Sequence, residues 1–208
     1  MSADDNNKLF NTIAPIYGLF YNAQKKHYRN ILKDMRSKLD LSAFDTVLDV
    51  GCGTGAFCSV LNEEGLIVTG IEPAEKMLNI ARKKPENKGI RFLKANVVEG
   101  LPFDQKSFDI SLASYVAHGL QPHERKQMYA EMSRVTRLKV IIFDYNQKRS
   151  LLITIAEWLE GGDYFRFIRN AKAELENCEF ELRTCFSDVE VVNVSPQAAW
   201  YICTPNQE

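Results

Sequence analysis

Two sets of residues in this chain of 208 residues have the types and spacing that chemistry requires. In the first, Asp49, Gly51, Gly53 and Gly55 alternate through Asp-Val-Gly-Cys-Gly-Thr-Gly, and Glu72 follows seventeen residues after the last glycine. Glycines so spaced let backbone approach a ligand closely, with no Cβ in the way. A carboxylate about 20 residues further on is placed to accept from ribose hydroxyls. The second set is smaller: His118 closes the segment Tyr115-Val-Ala-His. A neutral imidazole can take a proton near neutral pH.

The first set needs a strand, a turn and a helix to hold it. Val47, Leu48 and Val50 form a short apolar run that ends in the glycines, and Phe57, Val60 and Leu61 have the spacing of a buried helix face. Leu66-Ile-Val-Thr-Gly-Ile-Glu72 is a second apolar strand ending in an acid. Strand, glycine turn and helix open a nucleotide-binding α/β domain. The turn alone leaves the nucleotide open, because Gly51, Gly53 and Ala56 also satisfy the dinucleotide fingerprint. Asp49 disfavours a pyrophosphate and would draw the ammonium of an amino-acid-bearing cofactor, directly or through water. Glu72 would repel a 2′-phosphate.

Asp49-Val-Gly-Cys-Gly-Thr-Gly55 closely resembles the first motif of class I S-adenosylmethionine (SAM)-dependent methyltransferases. Phe10-Asn-Thr-Ile-Ala-Pro-Ile-Tyr17 resembles the opening of their ubiquinone/menaquinone-type, methyltransferase 11-like branch. The resemblance runs from about Phe10 to Pro205. It implies SAM as cofactor, S-adenosylhomocysteine (SAH) as product, and contacts from Asp49, Gly51, Cys52, Gly53, Gly55, Glu72, Pro73, Met77, Asn96, Val97 and Ser114. Met77 matches a position that packs on adenine, or it is core filler. Asn96 stands where the family usually has Asp; its carbonyl can accept from the adenine amino group, and the Val97 backbone can donate to the ring. Tyr17 would face the pocket from a helix that caps the cofactor, although the family's usual Tyr-Asp is here Tyr17-Gly18. The implied fold is a Rossmann-like, doubly wound α/β sheet of seven strands. Its order is 3-2-1-4-5-7-6, with strand 7 antiparallel and an N-terminal helical cap.

Periodicity fills in the rest. Residues 8–39 read as two helices with Pro15 marking a kink or break. A helix is expected over about 74–84, and strands over Ile90–Lys94, Ser107–Ser114 and Leu138–Phe143, with a helix starting at Pro122. Val189–Val194 and Ala198–Cys203 read as a closing hairpin. The chain is expected to be one domain over 1–208, with the cap over about 1–40 and a helical lid insertion over about 147–186.

Methyl transfer from a sulfonium needs little acid–base help, so the requirement is to hold the reacting atoms in line in a site closed to water. No G-x-S-x-G, H-E-x-x-H or Walker lysine suggests another chemistry. His118 is the first candidate for taking a substrate proton, with Tyr115 and Asp144 behind it, and Tyr17 is the other candidate catalytic residue, facing the pocket as the resemblance implies. The expected function is methyl transfer to a small-molecule acceptor. The alternatives are a non-catalytic SAM- or SAH-binding or partner-docking protein, and a nicotinamide-dependent oxidoreductase. A net charge of −1 offers no basic field for nucleic acid. Five cysteines without metal spacing fit reduced thiols and no metal. No apolar run approaches the ~18 residues of a membrane span. These features lead to the expectation of a cytoplasmic monomer or homodimer without membrane insertion.

Overall fold

The computed structural model describes residues 3–145, 180–195 and 198–206. In chain order the elements are α1 (Ala3–Leu19), α2 (Tyr21–Met35), β1 (Thr46–Val50), α3 (Ala56–Glu63), β2 (Ile67–Ile71), α4 (Glu75–Lys83) and β3 (Arg91–Leu93). They continue with β4 (Phe108–Ser114), α5 (Pro122–Val135), β5 (Thr136–Tyr145), β6 (Phe186–Ser195) and β7 (Ala198–Pro205). The strands form one sheet in the order β3-β2-β1-β4-β5-β7-β6. Strands β1 to β5 are parallel where they pair, and β7 runs antiparallel to both β5 and β6. This is the order that the resemblance implies.

The sheet is buried on both faces, which is why its central strands are mostly apolar. Leu48, Val50 and Ile71 pack with Met128, Tyr129, Met132 and Val135 of α5 on one face. On the other, Val47 and Val68 pack with Phe57, Val60 and Leu61 of α3 and with Ile31, Leu32 and Met35 of α2. The alternation along β1 therefore sends Asp49 to the α3 side, the side of Val47. At the start of β1, Asp109 accepts from the Asp45 and Thr46 amides and pairs with Arg137 at 2.7 Å. That contact fixes the strand ends opposite the glycine turn.

Two boundaries differ from the sequence reading. Pro15 lies inside α1 without breaking it, and the chain turns at Phe20 instead. Packing of Ala14, Phe10, Ile13 and Tyr17 against Ala74 and Met77 holds the helix through the amide that proline lacks. Strand β5 begins at Thr136, directly after α5, because Thr136 pairs with Phe108 and the strand's far end pairs with β7. Of the expected insertion over 147–186, only the helical stretch 180–185 and Phe186 lie within the described residues.

Candidate cofactor and acceptor site

The glycine turn joins β1 to α3 in the conformation that its sequence allows. Gly51, Gly53 and Gly55 have φ of 70°, 53° and 76°, values at which an L side chain is strained. The Gly51 and Cys52 amides donate to the Ile71 carbonyl at 2.9 and 3.0 Å. A Cβ at Gly51 would lie 2.6 Å from Val116 Cγ2, and one at Gly55 would lie 2.6 Å from Asn87 Nδ2. One at Gly53 would meet nothing within 4 Å. The turn is thus packed at both ends and open in its middle.

Glu72, just beyond β2, closes on that open middle. Its Oε2 accepts from the Gly53 amide at 2.9 Å and its Oε1 from the Ala74 amide at 2.8 Å. Each carboxylate oxygen keeps a further lone pair for a ligand hydroxyl. Burial pushes the carboxyl up to about 7, against the pull of the two amides.

Asp49 is placed differently from its expected role beside an ammonium. It is 1% exposed, and its Oδ2 accepts from the Cys58 thiol at 3.0 Å. Burial raises this carboxyl to about 7 as well, the Cys58 contact opposes the rise, and the Glu72 charge adds to it. Asp49 lies behind the turn, so any influence on a ligand is carried by its field. Cys52 is also buried, and a Cβ at Gly70 would lie 2.9 Å from the Sγ of both Cys52 and Cys58. Cys52 therefore presents backbone rather than its thiol.

On the side of α4, Met77 is 1% exposed in a cluster with Ala14 and Ala74. Pro73 is half-buried between Glu72 and Ala74. Asn96 caps the short turn 97–99: its Oδ1 accepts from the Val98 amide at 3.3 Å and its Nδ2 donates to Glu99 at 2.8 Å. Val97 is buried beneath it.

On the side of β4 and β5, Ser114 Oγ lies 3.1 Å from the Tyr28 hydroxyl. The Tyr28 ring stacks flat on Phe57, with centroids 4.2 Å apart. Tyr115 takes the left-handed conformation, φ 56°, and its ring leans on Phe143. His118 Nδ1 lies 2.9 Å from Asp144 Oδ1, and the His118 amide donates to Asp144 Oδ2 at 3.0 Å. Val116, which touches Gly51, ties this edge to the glycine turn.

Helix α1 spans both sides. Asn6 Nδ2 donates to the Gly119 carbonyl at 2.7 Å, and Asn11 Oδ1 accepts from the Lys76 amide at 2.9 Å. Tyr17 lies eleven residues beyond Asn6, about 16 Å along the helix, packed edge-on to Phe10 over the start of α4. The structure therefore does not bring Tyr17 together with His118. Sequence reading missed Asn6, Asn11, Gln24 and Tyr28. Gln24 accepts from the Thr54 hydroxyl at 3.3 Å. Asn6, Asn11 and Gln24 sit in ordinary helical periodicity like solvated positions, and Tyr28 reads only as part of the apolar face of its helix.

The description "Methyltransferase domain" fits the chain over residues 47–139. Over those residues the chain is similar to a methyltransferase domain. The match covers the glycine turn, Glu72 and His118, and it sets aside the nicotinamide reading of the turn. The chain is 29% identical to an uncharacterized methyltransferase of Staphylococcus carnosus over 128 residues, 60% of this chain and 59% of that protein. It is 31% identical to a ubiquinone/menaquinone biosynthesis C-methyltransferase of Campylobacter jejuni over 144 residues, 62% of this chain and 57% of that protein. The chain thus spans under two thirds of either relative. The fold matches the crystal structure of a putative SAM-dependent methyltransferase of Methanococcus maripaludis with a TM-score of 0.72. Identity there is 16%, over 95% of this chain and 94% of that one. That neighbour is described as S-adenosylmethionine-dependent. The residues present fit that donor: an open glycine turn faces a carboxylate with lone pairs to spare for ribose. Among the described residues no group of His, Cys, Asp and Glu could hold a metal, and no helix is long and apolar enough to cross a membrane.

Proposed function

We propose that the chain transfers a methyl group from S-adenosylmethionine to a small-molecule acceptor by in-line displacement, and that His118 takes the acceptor's proton. The observation that carries this reading is the packing of Val116 on Gly51, which sets the His118 turn directly beside the cofactor turn. When bound, the donor supplies a methyl group already activated on a sulfonium. Glu72 holds the ribose hydroxyls, and the amides of the glycine turn face the amino-acid portion. Pro73 lies along the adenine, with Asn96 and the Val97 main chain at its edge, while Met77 fills the core beside Ala14 and Ala74. Ser114 and Tyr28 bound the space between donor and acceptor, and α1 excludes water from it. His118 then receives a proton from a hydroxyl or an activated carbon, help of a kind typically worth ~10²–10⁴ in rate.

The test starts with calorimetric binding of SAM and SAH. Release of SAH is then followed with a panel of phenols, small carboxylates and amines. Binding together with turnover of a proton-losing acceptor, and a loss of at least ~10² in His118→Ala at unchanged SAH affinity, is the expected result. Binding with no turnover of any acceptor would favour a non-catalytic binding or docking protein.

A further inference from the structure

Ser114, at the end of β4, is held between the two halves of the site by the register of the sheet. Val50 pairs with Ala113, which sets Ser114 beside Gly51 at the start of the glycine turn. On its other side Ser114 pairs with Phe143 of β5, the residue before Asp144. Neighbouring strands lie about 4.8 Å apart. From β2 to β5 the sheet edge therefore presents Glu72, the glycine turn, Ser114 and then Asp144 with His118. A group that passes from the cofactor turn to the His118 edge has to cross the end of β4.

Helix α2 places a second hydroxyl at that crossing. The Tyr28 hydroxyl lies 3.1 Å from Ser114 Oγ. Its ring is stacked on Phe57 at an interplanar angle of 1° and meets Phe143 edge-on, with centroids 6.5 Å apart. Lys25 and Arg29 of the same helix each pair with Glu63 of α3 at 2.8 Å. Ring contacts and ion pairs thus fix α2 without help from the hydroxyl. Phe57 and Phe143 are buried, whereas Tyr28 and Ser114 are only half-buried. Two hydroxyls carry two hydrogens and four lone pairs, and the bond between them uses one of each. Burial pushes the Tyr28 phenol up to about 12. The pair is therefore neutral, with oxygen lone pairs left to accept.

We propose that the Tyr28 and Ser114 hydroxyls form the subsite for the methylsulfonium group of S-adenosylmethionine, holding that cationic centre between the cofactor turn and the His118 edge. Oxygen lone pairs complement the positive charge carried by the sulfur and by the hydrogens of its methyl. The inference rests on the reading of the chain as a SAM-dependent enzyme, but its readout is selectivity in binding, not turnover.

Three ligands that differ only at this centre supply the test. SAM carries the methylsulfonium, SAH a neutral thioether, and sinefungin an amine-bearing carbon in place of the sulfur. The ammonium of sinefungin can donate to the hydroxyl oxygens. Calorimetry is run on the whole chain, on Tyr28→Phe, which keeps the stacked ring, and on Ser114→Ala. A hydrogen bond to a charged group is worth about tenfold or more, so sinefungin affinity should fall by at least that factor in Tyr28→Phe. SAM affinity should fall less, about two- to fivefold, because C–H···O contacts are weaker. SAH affinity should stay near that of the parent, and Ser114→Ala should move the sinefungin-to-SAH ratio in the same direction. An equal fall for all three ligands would make the pair part of the fold alone and overturn the proposal. Unchanged affinities in both folded variants would overturn it too. A parent that binds none of the three fails the cofactor reading, and this subsite with it. A parent whose selectivity shifts as expected in the variants, yet which methylates no acceptor, fails only the transfer reading and leaves the subsite in place.

Discussion

The Gly53 amide donates to Glu72 Oε2 at 2.9 Å, so the glycine turn and the end of β2 form one polar unit. The carboxylate expected to hold ribose also fixes the turn that faces it. Glu72→Ala should therefore remove the ribose contacts and release the Gly53 and Ala74 amides together. Hydrogen bonds to charged groups are worth about 1.5–3 kcal/mol each, and 1.4 kcal/mol is a factor of ten. SAH affinity should drop at least tenfold by calorimetry while far-UV circular dichroism stays unchanged. An unaltered affinity in the folded variant would dismiss Glu72 as a cofactor ligand.

Asp49 and Glu72 set a dependence on pH with opposite signs for folding and for binding. Both carboxyls are raised to about 7 by burial in the fold, against about 4 in an unfolded chain. Between about pH 4 and 7 the folded state keeps protons that the unfolded state has lost, so unfolding free energy falls as pH rises and then levels off. Glu63 and Asp109, lowered to about 2, titrate below that window. The ionised pair attracts a cationic ligand, so SAM affinity should rise from about pH 6 to pH 8. The melting temperature should fall over about pH 5 to 7.5, and less steeply in Asp49→Asn, which still accepts the Cys58 thiol. A parallel slope in that variant would show that Asp49 is not the source.

The three glycines should separate by what surrounds them. Gly53→Ala meets no neighbour and costs only the left-handed backbone, about 1–2 kcal/mol. It should fold and yet lose SAH, because its Cβ enters the open middle of the turn. Gly51→Ala carries the same backbone cost and adds a 2.6 Å approach to Val116, an overpacking worth roughly a further 1–3 kcal/mol. Thermal melts of the two variants should rank Gly51→Ala clearly below Gly53→Ala. Full SAH affinity in Gly53→Ala would place the cofactor elsewhere.

Helix α1 should act as a cover, since it reaches Gly119 through Asn6 and Lys76 through Asn11. Amide hydrogen exchange over residues 3–19 should slow when SAH binds, and Asn6→Ala should speed it in the free protein. Identical exchange with and without SAH would make α1 a fixed part of the fold. Of the expected lid insertion over about 147–186, residues 147–179 lie outside the described residues.

The cofactor turn was legible because its determinants are local. A strand period, three positive-φ positions and a helix period fall within a dozen residues, and each follows from the steric limits of its own residues. The order of the sheet came with the resemblance those residues carry. The role of Asp49 was less legible. Its type suggests a ligand, but its place in the alternation of β1 buries it, and only the packing of α3 shows that Cys58 becomes its partner.

The sequence by itself determined that the chain builds a strand, glycine turn and helix with an acid after β2 and a histidine beyond β4. Tertiary structure alone decided which side chains share that site. Asp144 meets His118 across 26 residues of sequence and Asn6 meets Gly119 across 113, pairings that adjacent strands and a returning helix create. Tertiary packing also carried α1 through Pro15 and set Tyr17 apart from His118. The physical reason is range. Backbone sterics and hydrophobic period act over a few residues and can be read along the chain. Hydrogen bonds and burial between distant segments depend on how whole elements pack, and no local pattern encodes them.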